Sequence, residues 1–197
     1  MRVIGGQYRS RLLSAPRGLE TRPTSDRLRE TLFNVLGQRV AGAVFLDLYA
    51  GSGAVGIEAL SRGAAEAIFV EQAEAARKAI RANLTSLGVK SGYVIDSHSV
   101  AAALKRLAGQ GRRVDLVFLD PPYAAAAEYE TALGLLAGEA GGLLAEGAVV
   151  AAEHEKRREL AESYGAGGSG AGRGGRLVRY RVLRQGDAAI SFYSVEE

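Results

Sequence analysis

The residues with the clearest chemical potential are Asp120-Pro121-Pro122-Tyr123, which follow the mostly apolar run 114–119. Neither proline carries an N–H and each restricts the residue before it, so the chain must leave its sheet directly after Asp120. The run therefore predicts a strand that brings a carboxylate to its carboxyl end, where ligands bind in open parallel sheets. The structural alternative is that Asp120 caps a helix and Tyr123 fills a gap.

A second candidate site is the glycine-rich turn in Asp47-Leu48-Tyr49-Ala50-Gly51-Ser52-Gly53-Ala54-Val55-Gly56. Its G-x-G-x-x-G spacing is typical of nucleotide-binding α/β folds, although the glycines could also serve only close packing of a helix on a strand. Asp47 would repel a pyrophosphate but attract the ammonium and sulfonium groups of S-adenosylmethionine. Glu71, 24 residues later, is placed to bind ribose hydroxyls. These acids favour the methyl donor over NAD, and a nicotinamide enzyme is an alternative.

A methyl donor beside the Asp120 turn suits methylation of an exocyclic amine on a base. Hydrogen bonds from the amine to Asp120 and to the Pro121 carbonyl would turn its lone pair towards the methyl group, while Tyr123 stacks on the base. No strong base is needed, because the methylated amine loses its proton readily. A paired base cannot enter such a pocket, so the target is flipped out or lies in a loop.

The elements that position these residues alternate between strand and helix. We predict strands at 43–48, 67–71, 93–96, 114–120 and 148–153, helices near 55–62, 73–87, 99–107, 128–137 and 155–163, and an antiparallel pair at 177–183 and 189–195. Such alternation implies right-handed crossovers. It predicts an α/β fold with a mostly parallel seven-stranded sheet and helices on both faces. Residues 165–175 are glycine-rich and predict a mobile loop.

The first 29 residues are strongly basic, with seven arginines against two acids and no lysine. Val3 to Leu13 predicts an exposed β-hairpin arm, and Thr24 or Ser25 can cap a helix that runs to about Leu36. Arginine without lysine suits bidentate phosphate contacts, although a solvated basic surface is the alternative. The same alternatives apply to a second basic cluster, which consists of Arg173, Arg176, Arg179, Arg181 and Arg184.

Composition limits the class of protein further. The 197 residues include no cysteine, which excludes a disulfide framework and thiolate ligands and fits a reducing cytosol. No apolar run is long enough to cross a bilayer, and the N-terminus lacks the apolar core of a signal peptide. No acids and histidines have metal-ligand spacing, and we expect His154 to be a surface residue. We predict a cytoplasmic protein without a metal.

Several stretches together resemble one known family. They are Arg2-Val3-Ile4-Gly5-Gly6, the run 22–34 (RPTSDRLRETLFN), the run 47–53 (DLYAGSG) with 56–63 (GIEALSRG), and 120–123 (DPPY). This combination is similar to the RsmD-type 16S rRNA (guanine-N2)-methyltransferases and covers residues 1–155. The resemblance implies a Rossmann-like class I methyltransferase fold and S-adenosylmethionine as cofactor. It also implies methylation of the exocyclic N2 of one guanine in 16S rRNA, and an N-terminal hairpin that grips the ribosomal substrate.

The resemblance and the residue patterns together predict three groups of site residues, of which Asp47, Gly51–Gly53, Glu71 and 120–123 are implied by the resemblance. The catalytic set is Asp120, Pro121, Pro122 and Tyr123. The cofactor-binding set is Asp47, Tyr49, Ala50, Gly51, Ser52, Gly53, Glu71, Gln72, His98 and Ser99, with His98, Asp96 or backbone serving the adenine. The RNA-binding set is Arg2, Arg9, Arg11, Arg22, Arg27 and Arg29. A departure from the family is the sequence Asp96-Ser97-His98-Ser99, where an acid often contacts the adenine.

The same patterns define domains, partners and rival functions. We predict a basic arm at 1–22 and a methyltransferase domain at 23–197, acting as a monomer without membrane contact. The expected partner is 16S rRNA, within a 30S particle or an assembly intermediate. Two rivals are an adenine-N6 methyltransferase of DNA or RNA, which shares the Asp-Pro-Pro-Tyr turn, and a non-catalytic RNA-binding ribosome-assembly protein that keeps the fold.

Overall fold

The structure is a computed structural model that describes residues 1–15, 25–122, 125–165 and 175–196. It divides into two compact units, Met1–Ser99 and Val100–Glu197. The predicted domain boundary at residue 22 falls outside the described residues, as does most of the glycine-rich loop predicted at 165–175. Within the described part of the chain, no helix has the length and apolarity needed to cross a bilayer.

The first unit is built on a parallel three-stranded sheet. Its elements are α1 (Asp26–Leu36), a 3-10 turn (Gly37–Val40), β1 (Val44–Leu48), α2 (Ala54–Ser61), β2 (Glu66–Val70), α3 (Glu74–Leu87) and β3 (Tyr93–Asp96). The strands lie in the order β3-β2-β1, and both pairings are parallel. All but the first residue of β1 and of β2 are buried, which is typical of strands covered on both faces. The predicted strands and helices of this region are confirmed to within two residues.

Helix α1 begins as its sequence predicts. The Ser25 hydroxyl accepts a hydrogen bond of 3.2 Å from the Leu28 N–H, so Ser25 is the N-cap, and Asp26 lies in the positive first turn. Leu28, Leu32 and Leu36, which recur at helical spacing, are buried. Thr24, the other predicted cap, lies outside the described residues.

The N-terminal segment, residues 1–15, pairs its two ends as the predicted hairpin does, but it is not fully exposed. An antiparallel bridge joins Arg2 and Leu12, and the Val3 N–H donates a hydrogen bond of 2.9 Å to Arg11 O. Val3 and Leu13 are buried in a core cluster that includes Ile57 on α2. The predicted exposure was wrong for Val3 and Leu13, because these two apolar residues pack into the first unit, while the charged residues between them are exposed.

The second unit contains a mixed five-stranded sheet. Its elements are α4 (Val100–Gly109), β4 (Val114–Leu119), α5 (Ala126–Ala137), a 3-10 turn (Gly141–Leu143), β5 (Leu144–Glu155), β6 (Ser163–Tyr164), β7 (Arg176–Gln185) and β8 (Ala188–Glu196). The order is β4-β5-β8-β7-β6; β4 and β5 are parallel and the other pairings are antiparallel. Strands β7 and β8 confirm the predicted closing pair, joined by the two-residue turn Gly186-Asp187. The described residues thus contain eight strands instead of the predicted seven.

The additional strand, β6, lies where a helix was predicted. Residues 155–163 have the charged composition of an exposed helix, but they form a turn and an extended segment instead. Two of their carbonyl groups bond to Arg179 on β7: the Arg179 N–H donates to Glu162 O and its guanidinium donates to Leu160 O, both over 2.8 Å. Tertiary hydrogen bonds therefore override local helix propensity here.

His154 is buried, which contradicts its predicted place on the surface. One ring nitrogen, Nε2, lies 2.9 Å from the Ser191 hydroxyl on β8, and the other, Nδ1, lies 2.9 Å from Glu155 O. The charged neighbours Glu153 and Glu155 suggested an exposed position. The prediction failed because β5 is covered on the face that carries His154.

Candidate active site

The glycine-rich turn follows β1 and leads directly into α2. Tyr49 and Gly51 both have positive φ angles, of 63° and 55°, and Gly53 is the residue before the helix. The Gly53 N–H donates a hydrogen bond of 2.7 Å to Ala50 O, which closes the turn. A Cβ at Gly51 would meet nothing within 4 Å, so this glycine is required by backbone conformation and leaves open space beside it.

Gly56 has a different role from Gly51. A Cβ at Gly56 would lie 2.3 Å from the Phe69 ring on β2, so this third glycine allows α2 to pack closely on the sheet. The packing explanation therefore applies to Gly56 but not to Gly51. The two roles together match the division of labour that nucleotide-binding turns show.

Asp47, the acid predicted to attract the donor, is almost fully buried on β1. Its Oδ2 atom accepts a hydrogen bond of 2.9 Å from the Gly56 N–H. One carboxylate oxygen therefore fixes the first turn of α2, at the positive end of the helix. Direct pairing of Asp47 with the donor's ammonium group stays a prediction.

Glu71 lies immediately after β2 and is tied to the same turn. Its Oε2 accepts from the Gly51 N–H and its Oε1 accepts from the Ala73 N–H, each over 2.8 Å. Each oxygen keeps a second lone pair, which is what two ribose hydroxyl groups would need. The next residue, Gln72, is exposed, and Arg77 donates to the carbonyls of both Glu71 and Gln72. Sequence spacing therefore placed Glu71 beside the glycine turn correctly.

The third strand ends in the pair Asp96 and His98. The buried Asp96 Oδ1 accepts from the His98 N–H over 3.0 Å and lies 2.6 Å from His98 Nδ1. More than half of the His98 side chain is exposed, whereas Asp96 is covered. Asp96 thus orients His98, and Ser99 follows in a partly exposed position. Of the two side chains predicted for the adenine, His98 is the accessible one.

The Asp120 turn belongs to the second unit and follows β4 as predicted. Asp120 is partly buried, Pro121 is buried and Pro122 is exposed. Helix α5 has Ala125 at its N-cap position, so Asp120 does not cap it. The alternative explanation of Asp120 as the cap of the following helix is therefore excluded. Tyr123 lies outside the described residues, and its stacking role stays a prediction.

The predicted RNA-binding arginines of the N-terminal region divide into exposed and buried groups. Arg2, Arg9, Arg11 and Arg27 are exposed, and Arg22 lies outside the described residues. Arg11 donates to Ser86 O over 2.7 Å through Nη2. All four exposed arginines belong to the first unit, and Arg2 Nε lies 3.6 Å from an Asp26 carboxylate oxygen.

Arg29 is a correction to the predicted RNA-binding set, because its side chain is 0% exposed. Its Nη2 donates to Asp26 Oδ1 over 2.6 Å and to Arg2 O over 2.8 Å. Arg29 therefore joins α1 to the N-terminal segment and cannot reach RNA. Its position beside Leu28, with Leu32 and Phe33 one turn later, is the sequence signal that would have indicated burial.

The second basic cluster is also divided. Arg176 lies 3.4 Å from a Glu196 carboxylate oxygen, and Arg179 donates to the backbone at Leu160. Arg181 and Arg184 on β7 are exposed, and Arg173 lies outside the described residues. At least two of the five arginines thus serve the fold.

Two structural residues of the site were missed by sequence reasoning, Glu58 on α2 and Asn83 on α3. Both are buried: Asn83 lies among apolar residues on α3, and Glu58 lies on α2, where Ser61 is the other buried polar residue. Glu58 accepts hydrogen bonds of 2.8 Å from the N–H groups of Ile4 and Gly5, and Asn83 bonds to Ser14 and Ser52. A lone polar residue at a core position of a helix is the signal that could have found them.

Comparison with known proteins connects this geometry to a family. Residues 1–167 match the family described as conserved hypothetical protein 95. The ribosomal RNA small subunit methyltransferase D of Escherichia coli K12 is 42% identical over 160 residues, which cover 81% of this chain and 77% of that protein.

Solved structures extend the likeness over the whole chain. That of yhhF from Escherichia coli is 35% identical, with a TM-score of 0.77 and coverage of 100% of this chain and 98% of the other. A hypothetical protein of Thermus thermophilus is 31% identical, with a TM-score of 0.79 and 99% of each chain covered. An S-adenosylmethionine-dependent methyltransferase from Agrobacterium tumefaciens shares the fold at 15% identity, with a TM-score of 0.62 over 90% of this chain and 64% of the other.

The fold and the glycine-rich turn at residues 49–53, the donor turn, define a Rossmann-like class I methyltransferase that uses S-adenosylmethionine. The chain belongs to the RsmD family, the one described as conserved hypothetical protein 95. These residues fit S-adenosylmethionine. There is open space beside Gly51, and the Glu71 carboxylate, which bonds to the Gly51 and Ala73 N–H groups, suits the ribose hydroxyl groups of the donor. The predicted fold class and cofactor are thereby confirmed.

Proposed function

We propose that this protein transfers a methyl group from S-adenosylmethionine to the exocyclic N2 of a guanine in 16S rRNA of the small ribosomal subunit. The observation that carries the proposal is the Asp120-Pro121-Pro122 turn directly after β4, in a chain 42% identical to a small-subunit rRNA methyltransferase. When bound, S-adenosylmethionine supplies an electrophilic methyl group on a sulfonium.

In this proposal Asp120 acts by orientation. Its carboxylate accepts a hydrogen bond from the guanine amine, and the Pro121 carbonyl accepts the other N–H, so the nitrogen lone pair leaves conjugation with the base. The methylated amine then releases a proton, which the Asp120 carboxylate receives. The rigid prolines hold both acceptors in a fixed relation. Tyr123 is proposed to stack on the guanine.

The donor is held by the first unit. Glu71 accepts hydrogen bonds from the ribose hydroxyls through the lone pairs that Gly51 and Ala73 leave open. Asp47 and the backbone of residues 49–53 hold the methionine portion. His98, oriented by Asp96, contacts the adenine together with Ser99. Gln72 is proposed to lie along the same nucleoside.

The exposed arginines of the first unit are proposed to hold rRNA by its phosphates. Arg2, Arg9, Arg11 and Arg27 supply sequence-independent affinity and set the register of the target. Arg22 is proposed to join them. The partner is 16S rRNA within a 30S particle or an assembly intermediate, and the protein is proposed to act as a monomer.

The proposal is tested by mapping modified nucleotides in 16S rRNA from cells with and without this protein. We expect one N2-methylguanosine to disappear in the deletion strain and to return when purified protein and labelled donor are added to the isolated 30S particles. Appearance of N6-methyladenosine instead would support the adenine-specific rival. Unchanged modification together with an altered particle profile would support the non-catalytic assembly protein.

A further inference from the structure

Asn83 connects the N-terminal segment to the donor turn through three hydrogen bonds. Its Oδ1 accepts from the Ser14 N–H over 2.8 Å, while its Nδ2 donates to Ser14 O over 3.0 Å and to Ser52 O over 3.1 Å. The side chain is 2% exposed on the apolar face of α3. Because buried amides are costly to leave unpaired, this bridge fixes the two backbones relative to each other.

Apolar packing joins the same two segments. Val3 and Leu13 share a core cluster with Ala50, which lies in the donor turn, and with Ala54, the first residue after it. The Ser52 hydroxyl also lies 3.3 Å from the Met1 sulfur. Any displacement of the N-terminal segment therefore changes the packing around the turn.

The opposite side of the N-terminal segment is anchored on α2. The buried Glu58 carboxylate accepts from the Ile4 and Gly5 N–H groups, and its Oε1 also accepts from Arg62 Nε over 2.8 Å. The Tyr8 N–H donates to the Ser61 hydroxyl over 2.9 Å. The segment is thus held at its start by α2 and at its end by Asn83, with the exposed Arg9 and Arg11 between the two anchors.

We propose that Asn83 is a positioning residue that couples RNA contact at the N-terminal segment to binding of the methyl donor. RNA phosphates bound by Arg9 and Arg11 reduce the motion of the segment. Because Asn83 bonds to both Ser14 and Ser52, this restraint extends to the donor turn, so the donor loses less conformational entropy when it binds. Coupling of this kind is reciprocal, so donor binding also favours RNA binding. The link to RNA binding rests on the proposed function. The link between the N-terminal segment and donor binding requires only that the protein binds S-adenosylmethionine.

The first test uses hydrogen exchange with S-adenosylhomocysteine and no RNA. We expect the ligand to slow exchange of amides at 50–53 and also at residues 10–14, including the Ser14 N–H bonded to Asn83. In Asn83→Ala, protection at 50–53 should persist while protection at 10–14 is lost. Asn34→Ala, the same substitution at an exposed site of α1, should behave like the wild type. Wild-type protection confined to 50–53, or unchanged protection at 10–14 in Asn83→Ala, would overturn the coupling.

A second test adds unmethylated 16S rRNA. We expect saturating RNA to tighten S-adenosylhomocysteine binding by about fivefold or more in the wild type and by less than about twofold in Asn83→Ala. If RNA has no effect on the wild type while the exchange result holds, the RNA proposal fails and the internal coupling stands. If Asn83→Ala does not fold, Asn83→Asp, which keeps only the acceptor for the Ser14 N–H, takes its place with the same expected loss.

Discussion

The Gly51 N–H donates a hydrogen bond of 2.8 Å to the Glu71 carboxylate, so the acid after the second strand fixes the turn after the first. The same carboxylate accepts from Ala73 at the start of α3. Glu71 therefore has a structural partner before any ligand arrives. Its proposed contact with the ribose uses the lone pairs that remain.

Replacing Glu71 should weaken donor binding through both effects. We expect Glu71→Ala to reduce the free energy of S-adenosylmethionine binding by about 1.5–3 kcal/mol, the usual range for hydrogen bonds to a charged group. Calorimetric titration measures this loss. The matched control is Glu74→Ala, which removes an exposed acid paired with Lys78 and should leave affinity unchanged. Equal affinities for the wild type and Glu71→Ala would contradict the ribose assignment.

Asp47 should affect stability as well as binding, because it is buried against the Gly56 N–H. We expect Asp47→Ala to lower the free energy of unfolding by roughly 1–3 kcal/mol, since an amide is left without its acceptor. Urea unfolding followed by circular dichroism measures the change. Asp47→Asn, which keeps an acceptor oxygen, should recover most of the stability. A full-stability Asp47→Ala protein would show that the Gly56 contact is dispensable.

The RNA-binding role of the exposed arginines is tested by substitution. Deletion of residues 1–13 would also remove the buried Val3 and Leu13. We expect the double substitution Arg9→Ala and Arg11→Ala to weaken 16S rRNA binding and to make the salt dependence shallower by about two phosphate contacts. Filter binding at several salt concentrations gives the slope. The control is Arg81→Ala, which changes an exposed arginine on α3 that is not among the proposed RNA-binding residues. An unchanged slope in the double variant would place the RNA elsewhere.

His154 predicts a pH dependence of stability. Burial lowers the pKa of its imidazole, while contact with Glu155 O works in the opposite direction. The unfolded chain therefore takes up a proton at higher pH than the folded protein does, so stability present above pH of about 6.5 should fall as the pH drops towards the folded pKa. Thermal unfolding between about pH 5 and 8 measures the slope.

The other histidine provides the control for this experiment. His154→Gln should flatten the fall in Tm on the acid side, whereas His98→Gln, which leaves His154 and its contacts in place, should retain the fall that His154 causes. The same slope in the wild type and in His154→Gln would show that another group controls the transition.

The fold was largely predictable because its strands are apolar runs that end at characteristic turns. Asp47 and Glu71 were placed correctly, since the carboxyl ends of adjacent parallel strands meet at one edge. The contacts of residues 1–15 were not predictable, because Glu58 and Asn83 bond to backbone more than 50 residues away and leave no local pattern. Arg29 was wrongly predicted to bind RNA, because the prediction used its charge and not its position on the buried face of α1.

The predicted helix at 155–163 was wrong, because only local composition supported it. Hydrogen bonds to β7 hold part of this segment in an extended conformation instead. The carbonyl groups of Leu160 and Glu162 accept hydrogen bonds from Arg179 on that strand. Local composition does not indicate which strand will lie beside such a segment. Elements defined by core periodicity were thus predicted better than those defined by charge.

Single-turnover methylation of unmethylated 30S particles tests most directly whether Asp120 aligns a guanine amine for methyl transfer. We expect the wild type to form N2-methylguanosine at one site. Asp120→Ala should be slower by about a hundredfold, because misalignment of a reacting group costs on that order, while its affinity for S-adenosylmethionine stays within about twofold. A wild-type single-turnover rate in Asp120→Ala, or a methylated base other than guanine, would contradict the account.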